Sequence, residues 1–151
     1  MTEASYHKDI YTWTQHQAKA LRAKDWQMLD YDHLAEEIEG LGNEQRHAIR
    51  SHLRNLLLHL LKWQYQQEKR SESWRTSIDN ARDEIADRVE TSPSLRPELA
   101  SILESVYPRA RRKAQRETGL PLATFPETCP WSLDQLQDDD FFPGSGEEDQ
   151  R

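Results

Sequence analysis

Two histidines, His52 and His59, stand seven residues apart in the stretch NEQRHAIRSHLRNLLLHLLKWQYQQEK (43–69). On a helix that spacing puts them nearly on one line, beside Leu56 and Trp63. Imidazoles in such a row could hold a metal ion if a facing helix supplied carboxylates, as helical bundles do with inward Glu and His. The Glu-x-x-His step of those sites is missing, because Ile49 and Leu56 stand three residues before the histidines. The two rings would also lie about 10 Å apart along the axis, too far to share one ion comfortably. Boundary histidines bonded to a carboxylate or a carbonyl are the better expectation, with no metal and no cofactor. Thiol chemistry is equally limited. Cys129 is the only cysteine, so neither an intrachain disulfide nor a cysteine-built zinc site can form. It lies between Thr128 and Pro130 with no activating neighbour in sequence, which favours an inert buried thiol. The chain has no Gly-rich phosphate loop, no GxSxG, no HExxH and no CxxC.

Charged side chains cluster in two further places. Glu36, Glu37 and Glu39 precede the basic file Arg46, Arg50 and Arg54. Glu37 lies nearest the apolar stripe Leu34–Ile38–Leu41, and Arg46 projects onto the apolar side of its own segment, where a buried cation needs a partner. If Gly40 and Gly42 break the chain into two antiparallel helices, Glu37 or Glu39 pairs with Arg46 in a structural ion pair that fixes register. The chemical alternative is a cleft in which Glu37 works with His52 and His59 in acid–base or metal chemistry. The second cluster, RARRKAQR (109–116), can place Arg109, Arg112, Lys113 and Arg116 on one side of a helix. A solvated face near a helix C-terminus accounts for it, since cations there are favourable by about 0.3–1 kcal/mol. Nucleic-acid binding is the weaker expectation, because no aromatic residues interleave the cations to stack on bases.

Composition sets the frame for these groups. The 151 residues are 35% hydrophobic and 31% charged, the balance of amphipathic helices with broad solvated faces. The net charge of −7 is uneven. Residues 134–151 carry seven acids and one base, and the other 133 residues are nearly neutral, with 20 acids and 19 bases. A global basic footprint for nucleic acid is therefore absent. No apolar run approaches the roughly 18 residues that span a bilayer. The N-terminus lacks a basic-then-apolar signal pattern, so cytoplasm is the expected location and no membrane partner is expected.

The elements that must position these groups are helices. Asp9 can cap a first helix to about Lys24, and Asp25, Trp26 and Asp30 mark a turn. A second helix starts near Asp32 and ends at Gly40 and Gly42. From Asn43 the hub follows: Ile49, Leu53, Leu56, Leu60 and Trp63 form one stripe, and Leu57, Leu58 and Leu61 widen it until the turns from Leu56 to Leu61 are apolar almost all round. Such a helix must be covered all round. Ser73 can cap a fourth helix with the stripe Trp74, Ile78, Ala81, Ile85 and Val89. Pro97 suits the first turn of a fifth, in which Pro108 predicts a kink near Tyr107. Gly119 and Pro121 stop it. LPLATFPETCPW then cannot be a helix interior. Ser132 and Gln135 read as a capping box for one short helix, and Phe125, Trp131, Leu133, Leu136, Phe141 and Phe142 as anchors of an arm laid over the bundle. The expectation is an all-α, single-domain bundle of about five helices around a long central one, residues 1–143, with a disordered acidic tail at 144–151.

The strings LAEEIEGLG (34–42), LLLHLLKWQYQ (56–66), SWRTSI (73–78), SPSLRPEL (92–99), ETGLP (117–121) and TFPETCPW (124–131) occur in this order. By them the chain resembles, over roughly residues 6 to 143, the bacterial family catalogued as domain of unknown function, number 29. Pro108 departs from that family's pattern. The resemblance implies an all-helical fold and no particular activity. With no nucleophile–base pair, metal cage or phosphate cradle legible, the functional expectation is a non-enzymatic protein-binding or assembly module. Leu58 and Tyr65 point away from the main hub stripe, so either the arm or a second subunit covers them. A protein partner, or a homodimer through the central helix, is the expected interaction.

Overall fold

The structure, a computed structural model, describes residues 3–144; the expected acidic tail falls outside the described residues from 145 onward. Six α-helices and no strand occur among the described residues: α1 (Glu3–Lys8), α2 (Ile10–Arg22), α3 (Tyr31–Tyr65), α4 (Glu72–Thr91), α5 (Leu99–Thr118) and α6 (Leu133–Gln137). The all-α expectation holds, with a long central helix. By contact the chain divides into two compact units, 1–44 and 45–151.

In the first unit Asp9 caps α2 as its sequence suggests, accepting from the Thr12 N–H at 3.0 Å. The extra turn α1 precedes it. Trp13, Gln17 and Ala20 form the buried face of α2, whereas Ile10 and Leu21 stay exposed. Trp26–Met28 makes the expected short turn, after which α3 begins. One boundary is corrected here. Gly40 and Gly42 do not end a helix; both lie inside α3, which runs unbroken for 35 residues. Neither glycine adopts the left-handed conformation of a helix stop, and no proline follows to enforce one. Glycine alone weakens a helix by about 1 kcal/mol without forbidding it.

The second unit is built on the hub. Leu56, Leu57, Leu58, Leu60, Leu61 and Trp63 are all buried, with Leu58 only 3% exposed, so the leucine-rich turns are shielded on every side but that of His59. The cross-helix pairs give the topology. Gln45 meets Arg88 and His52 meets Glu84, so α4 runs antiparallel to this part of α3. Arg46 meets Glu98, Arg50 meets Ser105 and Lys62 meets Glu117, so α5 runs parallel to it. This is an up-down-up triplet. Ser71, rather than Ser73, caps α4 by accepting from the Trp74 N–H at 3.2 Å. Pro97 lies in the 3-10 turn Pro93–Glu98 instead of the first turn of α5. The helical assignment of α5 continues through Pro108 to Gly119, whose φ of 75° is the expected left-handed stop.

The arm closes the unit. Phe125, Trp131, Leu136 and Phe142 are buried, and Ser132 with Gln135 forms the capping box of α6. Phe125 meets Tyr65 edge-on at 5.4 Å and Phe142 lies 5.1 Å from Trp63. The arm therefore packs on the Trp63–Tyr65 end of the hub. Its carbonyls are held by arginines. Arg82, 3% exposed, donates from Nε to Leu136 O at 2.8 Å and from Nη2 to Gln135 O at 3.2 Å. Arg111 holds the Phe125 carbonyl, and Arg70 those of Pro143 and Gly144.

His59 sits at the flank of the hub with Nδ1 donating to Asn55 O at 2.9 Å. Burial pulls its pKa below the ordinary histidine value, and that bond opposes the shift only in part. The folded state thus disfavours the protonated ring.

Three outcomes are expected. Arg82→Ala should lower the unfolding free energy by about 3 kcal/mol, because two charge-assisted bonds vanish and two carbonyls lose their donor; urea denaturation measures this, and Arg82→Lys should recover only part of it. Gly40→Ala and Gly42→Ala should each stabilise α3 by roughly 0.8–1 kcal/mol, since nothing lies within 4 Å of a Cβ built at either; slower amide exchange over residues 36–44 is the readout. The His59 contribution should be intact above pH of about 6.5 and be lost as pH falls from there through the lower folded pKa; a denaturation series from pH 7.5 to 5 should show a slope that His59→Gln flattens.

Candidate functional site

Glu37, His52 and His59 each have a different partner. Glu37 belongs to the first unit, where its carboxylate accepts from the Tyr6 hydroxyl; that bond pushes the Tyr6 phenol up to about 12. His52 and His59 belong to the second. His52 Nε2 lies 3.7 Å from Glu84, and His59 bonds to a carbonyl of its own helix. Among the described residues no three His, Cys, Asp or Glu side chains gather as metal ligands would. The proposed ion pair is also redrawn. Arg46 donates from Nε to Glu98 Oε1 at 2.8 Å, and both side chains are about two-fifths exposed. Neither Glu37 nor Glu39 is its partner. The reason is the unbroken helix: with no reversal at the glycines, seven to nine residues of α3 separate these acids from Arg46, about 10–14 Å of axis.

A compact polar knot in the first unit escaped sequence reasoning. Asp30 accepts from Trp13 Nε1 at 3.0 Å and meets His33 Nδ1 at 2.7 Å. Gln17, 1% exposed, bonds to the Met28 carbonyl and the Asp30 N–H. Tyr6 stacks on His33 at 3.9 Å between ring centroids. The contact to His33 pulls the Asp30 carboxyl below the usual range. Every group here satisfies another, so the knot is a scaffold for the turn into α3. Cys129 is similarly inert: its thiol points to Trp131 O at 3.5 Å, and burial raises its pKa.

The basic segment fares differently. Arg109, Arg112, Lys113 and Arg116 line an open depression of about 440 Å³ together with Arg54 from α3 and Glu117. The spacing within α5 was legible; the contribution of Arg54, 55 residues earlier, was not, because only the parallel packing of α3 and α5 brings it there. Glu117 is held by Lys62 at 2.8 Å and approached by Lys113 at 4.0 Å. No hydrogen bond or ion pair is made by Arg54, Arg109, Arg112 or Arg116 among the described residues.

Apolar exposure has its own location. Apart from Leu122, the large apolar side chains left exposed all lie in residues 10–41. Ile38 and Leu41 are each 66% exposed, and every residue from Ala35 to Glu44 is exposed. Among the described residues no helix is long and apolar enough to cross a membrane.

No curated protein and no solved structure matches this chain. A family model does: that described as Domain of unknown function DUF29 matches residues 5–142. That match takes in all of α2 to α6, the hub and its arm included, and the chain accordingly belongs to this family.

Proposed function

We propose that this chain is a non-enzymatic bacterial protein of the cytoplasm that works as an assembly module, pairing with a second copy of itself through residues 34–42 of α3. The observation that carries this is the bare face of that segment. Ile38 and Leu41 are two-thirds exposed, on a helix whose every residue from 35 to 44 is exposed. Isolated helical segments this short are marginal in water even when rich in alanine, and two glycines weaken this one further. A partner lying on the Ile38–Leu41 face supplies the burial that the chain itself does not.

The flanks of that face argue for a copy of the chain in parallel orientation. Leu34, Ile38 and Leu41 take alternating core spacings of 4 and 3. Glu37 and Glu44 then fall on one flank, and Ala35 and Gly42 on the other. In a parallel pair opposite flanks meet, so each carboxylate faces a small residue. An antiparallel pair would set carboxylate against carboxylate. The surface differs from the one expected from sequence: it is the central helix, but its N-terminal part and not the leucine-rich hub.

The enzyme reading with Glu37, His52 and His59 finds no support in the different partners of these side chains. Native mass spectrometry of the full chain at micromolar concentration should show dimer, and Leu41→Asp should convert it to monomer with unchanged helicity. In a Cys129→Ser background, Leu41→Cys should cross-link to its counterpart on mild oxidation, as parallel pairing requires. A wild-type chain that stays monomeric, or a dimer indifferent to Leu41→Asp, would end this reading.

A further inference from the structure

We propose that the depression between α3 and α5 is a binding site for a compact oligophosphate, meaning two or more phosphoryl groups joined in a chain, free or carried by a nucleoside. The site is independent of the pairing face on residues 34–42.

Four guanidiniums in one groove, with no partner among the described residues, are costly in the empty molecule. Arg109 and Arg112, Arg112 and Arg116, and Arg109 and Lys113 are neighbours at three or four residues along α5, and like charges at that spacing repel. Arg54 adds a further cation from the opposing helix. A solvated face would disperse such charges or pair them. Several other arginines of this unit are engaged by carboxylates, hydroxyls or carbonyls: Arg46 by Glu98, Arg50 by Ser105, Arg82 by Leu136, Arg111 by Phe125. Arg54, Arg109, Arg112 and Arg116 are not engaged in this way among the described residues, and they share a single opening.

The choice of anion follows from size, ends and lining. Arg109 to Arg116 covers about 10 Å of helix, which suits a short run of phosphoryl groups gripped by guanidinium forks. The cationic stretch of α5 is closed by Glu104 on one side and Glu117 on the other, so it has a finite length. A depression of about 440 Å³ is the size of a small-molecule site. No aromatic side chain lines it, so nothing stacks on a base, and the chain as a whole carries −7. A long nucleic acid is thus less well matched than a small, highly charged ligand.

Isothermal titration calorimetry on the full chain tests this with inorganic tripolyphosphate, pyrophosphate, ATP and sulfate as probes. Tripolyphosphate and ATP should bind, with sulfate about tenfold or more weaker because it engages fewer forks. ATP equal to tripolyphosphate assigns recognition to the phosphate chain alone, and tighter ATP adds a nucleoside contribution; both uphold the site. Arg54→Gln and the double variant Arg112→Glu, Arg116→Glu should each weaken binding by about tenfold or more, with circular dichroism unchanged because these side chains carry no fold contact. Leu41→Asp should bind as well as the parent, which separates this site from the pairing face. Equal affinity for sulfate, or binding that survives the arginine variants, overturns the proposal. So does a single-stranded RNA oligonucleotide that binds far more tightly than tripolyphosphate. If tripolyphosphate binds only after removal of residues 145–151, the occupant is the chain's own acidic end and the oligophosphate reading fails.

Discussion

Guanidinium groups bonded to main-chain carbonyls hold the second unit closed. The arm from Leu120 to Gly144 is rich in proline and mostly non-helical, so it cannot satisfy its own polar backbone as a helix does. Arg70, Arg82 and Arg111 do that work from three different helical segments or their connectors, each aiming planar donors at carbonyls of the arm or its short helix. With those carbonyls satisfied, Phe125, Trp131, Leu136 and Phe142 can be pressed against the hub without burying bare acceptors. The completeness of the hub's burial therefore depends on arginines whose sequence positions look like solvated helix faces.

Much of this architecture was legible. The hub followed from leucines too numerous for one stripe, the stop at Gly119 from a glycine–proline sequence, and the capping box from Ser132 and Gln135 at the right separation. These are local signals. The misplaced features depended on longer range. Gly40 and Gly42 resemble a break, yet a helix ends only where some alternative for its backbone is better, and none exists there. Arg46 met Glu98 and not Glu37 because α5 is packed alongside, a fact that no local window contains. Arg82 gave no signal at all: it is followed by Asp83 and Glu84 on a polar helix and is nevertheless buried.

For the candidate sites the same division applies. The row of cations on α5 was visible as a helical spacing, but its meaning changes once Arg54 arrives and the carboxylates nearby prove to be committed elsewhere. The histidines followed the opposite course. Their alignment on α3 suggested a shared ligand, but His59 bonds to the Asn55 carbonyl while His52 lies 3.7 Å from Glu84. Contrast along α3 is the clearest functional clue. One stretch of this helix is covered on nearly every side by its own chain, and in another, with apolar residues at the same spacing, Ile38 and Leu41 stay two-thirds exposed.

The arm is also the last described part of the chain to be synthesised. Helices α3, α4 and α5 can associate as soon as about 118 residues have emerged, since their contacts link consecutive elements. Trp63 and Tyr65 then wait for partners that lie 60 or more residues downstream, at Phe142 and Phe125. During translation a nascent triplet with an open aromatic seam precedes the finished molecule, and that seam closes only when the arm arrives.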